Sequence, residues 1–256
     1  MIFGRLGFLL ALSLLISIAA STTTVFALEI PFPGENGFLI GVPQDFLIVA
    51  STNKELLGTV GIFVFGASKL KIGEQEYDDC LFEYEGGTAH FYFSIDSNNQ
   101  ALLQKGFTIG KTEIDINPAI TILAYPLQPN KERNAQAIVT VRNAAIGNFV
   151  FPLLTLQNVQ AQTFCFNSSI TVPAGTFEAI LVESNWAGKM LGEIPLTVRE
   201  RIWLNAQNVF LKLEFELQVA SEKPVKLFGM ELMNLPACRI PKQYNKTVCW
   251  AKIKTQ

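Results

Sequence analysis

The sequence predicts a mainly β protein, a strongly curved antiparallel sheet (half-barrel or open barrel) with few short helices. The first observation behind this is alternation. Leu211, Leu213, Phe215 and Leu217 are interleaved with Lys212, Glu214 and Glu216, and successive strand side chains point to opposite faces, so this ribbon has a dry side and a wet side. The second is the 20 Phe in 256 residues, a residue type that packs well on pleated surfaces. The third is a shortage of stretches with helical period. A sheet wetted on one face only is an antiparallel one.

Taken in order, residues 1–27 read as an export signal. Arg5 supplies the positive start, Phe8 to Ala20 the apolar run, and Val25-Phe26-Ala27 the small-residue cleavage pattern. The apolar run falls short of the ~20 residues of a spanning helix, so no stable membrane span is expected after cleavage. Residues 28–256 then form a single β-rich domain. Ile30-Pro31-Phe32-Pro33-Gly34 is an extended lead-in, because its prolines exclude helix. Phe38 to Ala50, broken by Gly41 and Pro43, suggests two short strands around a bend, and Asn53 to Leu57 one helical turn. Val60 to Phe65 is apolar without alternation and reads as a strand covered on both faces.

Gly86-Gly87 marks a hairpin turn between Cys80–Tyr84 and Ala89–Ile95. In the second strand Ala89, Phe91, Phe93 and Ile95 oppose His90, Tyr92, Ser94 and Asp96. Asp96-Ser97-Asn98-Asn99 turns the chain through local side-chain hydrogen bonds. Ala101 to Ile116 gives two strands about Gly106 and Gly110. The proline-bearing region 117–136 is the candidate internal boundary, read as a connection within one sheet system. Ala137 to Arg142 alternates again, while Phe149 to Gln162 is open between strand and short helix. The turn Val172-Pro173-Ala174-Gly175 leads into a strand from Phe177 to Glu183, followed by strands Thr197–Leu204, Val209–Leu217 and Val225–Leu235.

Composition narrows the function. Losing Arg5 with the signal leaves Lys and Arg one short of 20 against 22 Asp and Glu, a balance without the basic footprint of a nucleic-acid binder. Four cysteines, Cys80, Cys165, Cys238 and Cys249, permit three disulfide connectivities in an exported chain. Cys238–Cys249 would close a short C-terminal loop and leave Cys80–Cys165, with buried free thiols as the alternative. No CxxC pair exists and His90 is the single histidine, so no metal site and no cofactor is expected. Gly106 to Thr112 has three residues between its glycines where a phosphate loop needs four. Asp96-Ser97-Asn98 lacks the rest of a calcium loop. The acidic clusters Asp78-Asp79, Glu83/Glu85 and Glu214/Glu216 look like solvated faces, and Glu183, Glu193 and Glu200 add nothing to them. Asn167 and Asn245 head glycosylation triplets. Phe177, Trp203, Phe210 and Phe215, with Trp186 and Trp250, either fill the core or line an apolar cavity; the four named first are the cavity candidates.

The stretch Ile170 to Phe177, followed by Arg201-Ile202-Trp203-Leu204 and Val209 to Glu214, with Tyr125-Pro126-Leu127 upstream, resembles a group of uncharacterised bacterial exported β domains. These are similar to the curved half-barrels of periplasmic lipoprotein carriers. The likeness spans Ile120 to Leu217, with Ala206-Gln207-Asn208 standing where the pattern has glycine and proline. It implies an envelope protein of the periplasm or cell exterior that shelters something hydrophobic, a lipid or other apolar ligand, or a segment of an envelope protein. The expected function is non-enzymatic binding or carriage on the concave face. The alternatives are a hydrolase using His90, the only imidazole available as a base, and a structural module that presents sheet edges to partners.

Overall fold

The computed structural model describes residues 28–235 apart from 35–37, 53, 73–74, 86, 110, 147–148 and 191–192. The expected signal segment, Cys238, Cys249, Asn245 and Trp250 therefore lie outside the described residues. Twelve strands follow one another: β1 (Pro43–Ser51), β2 (Val60–Ile72), β3 (Gln75–Tyr84), β4 (Gly87–Asp96), β5 (Ala101–Ile109), β6 (Thr112–Ala124), β7 (Glu132–Ile146), β8 (Phe149–Val172), β9 (Gly175–Met190), β10 (Ile194–Asn205), β11 (Phe210–Val219) and β12 (Val225–Leu232). Each pairs antiparallel with its sequence neighbour, and β1 also pairs with β12, so the sheet is a closed barrel. This corrects the open half-barrel. An open sheet leaves unpaired N–H and C=O groups along two edges. Here Phe46 and Leu47 match Leu232 and Glu231 on one side and Gly61 and Val60 on the other.

The alternations foreseen in the sequence set which side faces in. Ala89, Phe91 and Phe93 are buried, and so are Leu211 and Leu213, while Val139 turns inward from β7. The Asp96 turn forms as expected, its carboxylate accepting from the Asn99 backbone N–H and side chain. Lys54–Leu56 is a single 3-10 turn. Three expectations change. Phe38–Ala50 contributes one strand, entered through a turn in which Val42 N–H donates to Leu39 O. Phe149–Gln162 is wholly strand, part of the 24-residue β8. Val60–Phe65 is not covered on both sides: Phe63 and Phe65 are buried, but Val60 and Ile62 are 46% and 41% exposed, because a barrel wall has one dry face. Gly106 sits at a bulge between β5 and β6, where an added Cβ would strike the Ile114 carbonyl oxygen. Only glycine fits that approach.

One end of the barrel is sealed. The chain before β1 folds over it as a strap, with Ile30 and Leu127 exchanging backbone hydrogen bonds. Phe32 and Phe38 meet Tyr125 edge to face, and Ile30, Phe38 and Leu127 are essentially inaccessible.

The barrel is also flattened. A round barrel of this strand number, at ~4.8 Å spacing and ~40° tilt, would be about 24 Å across. β5 and β11 lie on opposite walls of the closed sheet, yet the rings of Phe107 and Phe215 are 6.3 Å apart. That contact splits the interior. On the side of β12 and β1–β4, Phe46, Phe63, Phe91, Phe82 and Phe228 interlock. On the side of β6–β10, Ala135, Ala137, Ala161, Thr163 and Ser184 face inward among larger residues such as Ile116, Val182, Trp186, Ile202 and Leu204.

The expected Cys80–Cys165 bridge is absent. Both are buried free thiols, on β3 and β8, which stand five strands apart in the sheet. The sequence could count cysteines but not place their strands.

Candidate functional site: a seam leading to a buried polar row

β6 and β7 pair only from Glu113↔Arg142 to Asn117↔Ile138. Pro118 then interrupts β6, since it has no N–H to continue the ladder. The first residues of β7, Glu132 to Ala137, pair with β8 alone. Where the two strands part there is a cavity of about 280 Å³ lined by Thr121, Arg133, Asn134, Ala135, Ala161 and Thr163. Ala161 and Thr163 are 4% and 7% exposed and lie in the inward phase of β8 with Val159 and Cys165. The seam therefore reaches inner-face residues through the wall.

Register extends this site into a polar row. Arg133 pairs with Thr163, Thr163 with Ser184, and Ser184 with Glu200, across β7, β8, β9 and β10. The Thr163 and Ser184 hydroxyls are hydrogen-bonded at 3.0 Å. Glu200 belongs to the inward phase of β10 with Ile202 and Leu204 and is 3% exposed. Its Oε2 has no hydrogen-bond partner among the described residues, and burial pushes its carboxyl up to about 8. At neutral pH it is held mostly as the neutral acid. Trp186, one inward position further along β9, presents an indole Nε1 that is likewise without a partner among the described residues. Near the seam, burial raises the Cys165 thiol and the charges of Arg133 and Lys131 pull it partly back.

No family model, curated protein or solved structure matches this chain.

The sequence candidates fall elsewhere. Phe210 and Phe215 face inward but spend their rings on Phe63 and Phe107. Phe177 is partly buried against the core at the start of β9, by the sealed end. Trp203 stands on the opposite face of β10 from Ile202 and Leu204, with the Lys212 ammonium 5.5 Å from its ring centre. None of the four lines the seam cavity. The signals that would have found it are small: the alternating Ala135/Ala137 and Ala161/Thr163, and an acid, Glu200, in the apolar phase of its strand.

His90 is on the wet face of β4. Its Nδ1 is 2.9 Å from Asp79 Oδ1, and the Ser68 hydroxyl donates to the other oxygen of the same carboxylate at 3.2 Å. The carboxylate thus stands between hydroxyl and imidazole. General-base catalysis needs the imidazole against the hydroxyl, so this constellation does not activate Ser68. Among the described residues no group of three His, Cys, Asp or Glu is placed to hold a metal ion. The phosphate-loop look-alike is a hairpin: Gly106 to Ile109 belong to β5 and Thr112 opens β6, so no helix N-terminus is offered to a phosphate.

Proposed function

We propose that this is an exported, non-enzymatic envelope protein that binds or carries an apolar ligand inside its barrel, admitting it through the seam between β6 and β7. The observation that carries the reading is the seam cavity, polar at its mouth with Thr121, Arg133 and Asn134 and floored by the buried inner-face residues Ala161 and Thr163. At about 280 Å³ it is near the lower bound for ligand sites, which run from about 300 Å³ upward. That size suits one chain or a compact ring system. An apolar interior behind a charged outer wall supports a water-facing barrel, because a lipid-facing one reverses that arrangement. The resemblance to exported carrier domains points the same way, with a closed barrel in place of their half-barrel.

The test is binding of an apolar, environment-sensitive dye to the purified full chain, compared with Ala161→Phe. The larger side chain fills the cavity floor. Saturable micromolar binding to the native chain, weakened at least about tenfold in the variant as its contacts and volume are lost, is the expected result. Absence of saturable binding, or equal binding by a folded Ala161→Phe chain, overturns the proposal.

A further inference from the structure

We infer that the row Thr163–Ser184–Glu200, with the Trp186 indole, seats the polar end of the ligand, and that this end is a hydroxyl on an otherwise apolar body. The inference rests on the carrier reading above and deepens it. Thr163 lines the seam cavity, and its hydroxyl is bonded to that of Ser184. Ser184 is the register partner of Glu200, so their Cβ atoms are about 5 Å apart. By register Glu200 lies two strands beyond Thr163, the buried polar residue of the cavity lining.

The unmet hydrogen-bonding capacity at the end of that row identifies the ligand chemistry. Among the described residues neither the buried Glu200 Oε2 nor the buried Trp186 Nε1–H has a hydrogen-bond partner. Such groups have lost their water without gaining a bond, so a ligand that meets them is favoured. A hydroxyl serves both, donating to the carboxyl oxygen and accepting from the indole. An ether oxygen can accept from the indole or from the O–H of the neutral Glu200 acid but cannot donate, so the acceptor oxygen of that carboxyl stays unmet. A carboxylate would bring a second acid against Glu200 in an apolar surround, which the desolvation cost of a charge opposes. The flanking inward residues Ile202 and Phe215 suit the apolar body. An exposed alcohol site would give little discrimination, whereas a site this buried discriminates by what it leaves unpaired.

The experiment is dye displacement from the full chain by a ten-carbon primary alcohol and by its methyl ether, in the native protein and in Glu200→Leu. The expected result is an alcohol about tenfold or more tighter than the ether in the native chain, with the preference lost in Glu200→Leu while ether binding persists. Equal affinity of alcohol and ether in the native chain overturns the hydroxyl inference and leaves the carrier reading standing. A preference that survives in Glu200→Leu moves the seat away from this row and also overturns the inference. Failure of both compounds to displace, with no dye bound, is failure of the carrier reading itself. Trp186→Phe, which keeps the ring and removes the N–H, is expected to lower alcohol affinity severalfold without changing that of dyes that make no hydrogen bond.

Discussion

Glu200 is the residue at which a local rule is broken. An ionisable side chain occupies a position whose neighbours in phase, Ile202 and Leu204, are buried apolar groups. Its carboxyl is raised from 4.5 to about 8 by burial, and the sign of the consequence follows from linkage. Below 4.5 both folded and unfolded chains hold the proton and the group costs nothing extra. Between 4.5 and 8 the unfolded chain releases it and the folded chain keeps it, so stability falls as pH rises, and it levels off above 8. The loss by pH 7 is roughly 3 kcal/mol at most, less if the interior opens to water. Glu200→Gln is expected to stabilise the chain at pH 7–8, to leave it little changed near pH 4, and to flatten its pH dependence in urea melts. Identical pH profiles for the two chains would show that Glu200 titrates normally and that the wall is open there. A costly acid retained in the interior is in keeping with a binding role rather than a packing one.

At the scale of the elements, β9–β12 are held on their wet side by an ion-pair lattice. Arg201 reaches Glu183, Glu214 and Glu216 at 2.9, 3.5 and 3.3 Å, while Lys212 bridges Glu214 and Glu231 at 3.0 and 2.8 Å. Four cations (Arg199, Arg201, Lys212, Lys226) face four acids (Glu183, Glu214, Glu216, Glu231) across these strands. Burial draws the Arg201 and Lys212 values down, but their acidic neighbours more than offset it. Burial likewise pushes Glu214 up, and the Lys212 hydrogen bond and charge, with Lys226, hold it below its ordinary value. A depressed carboxyl contributes stability above its usual pKa that is lost as pH falls through the folded value. Glu214 therefore acts opposite to Glu200 on the acid side. Arg201→Met leaves four acids, the buried Glu214 among them, to three cations and is expected to cost about 1–2 kcal/mol near pH 7. The deficit should shrink in high salt and on acidification, as thermal melts at two ionic strengths would reveal; no change at low salt would mean that the lattice is fully screened.

For the whole molecule the decisive feature is the contact that flattens the barrel. Phe107 and Phe215 come from opposite walls, and Phe215 is paired in register with Phe228, which packs on Phe82. Truncating either partner to alanine is expected to cost about 3 kcal/mol, with a coupling of about 1 kcal/mol in the double-mutant cycle. Additive losses would indicate that each ring packs only on its own wall. Because this contact stands between the two sides of the interior, Phe107→Ala is also expected to enlarge the space open to the proposed ligand.

How much of this was legible beforehand depended on whether the signal was local. The strands β4, β10 and β11, the turn at Asp96 and the two-residue turn before Gly175 could be read directly, since side-chain phase and turn chemistry act over a few residues. Four things needed the fold. Closure depends on β1 meeting β12, at opposite ends of the strand order. The state of Cys80 and Cys165 depends on which strands stand together. The roles of Phe210 and Phe215 depend on which ring lies across the lumen. The polar row exists only because four strands share a register. Arg133, Thr163, Ser184 and Glu200 are scattered in sequence and carry no motif, so local periodicity by itself determined a one-sided β sheet. Long-range pairing, whose energy is collected only once distant strands meet, decided that the sheet closes and where its interior is left polar.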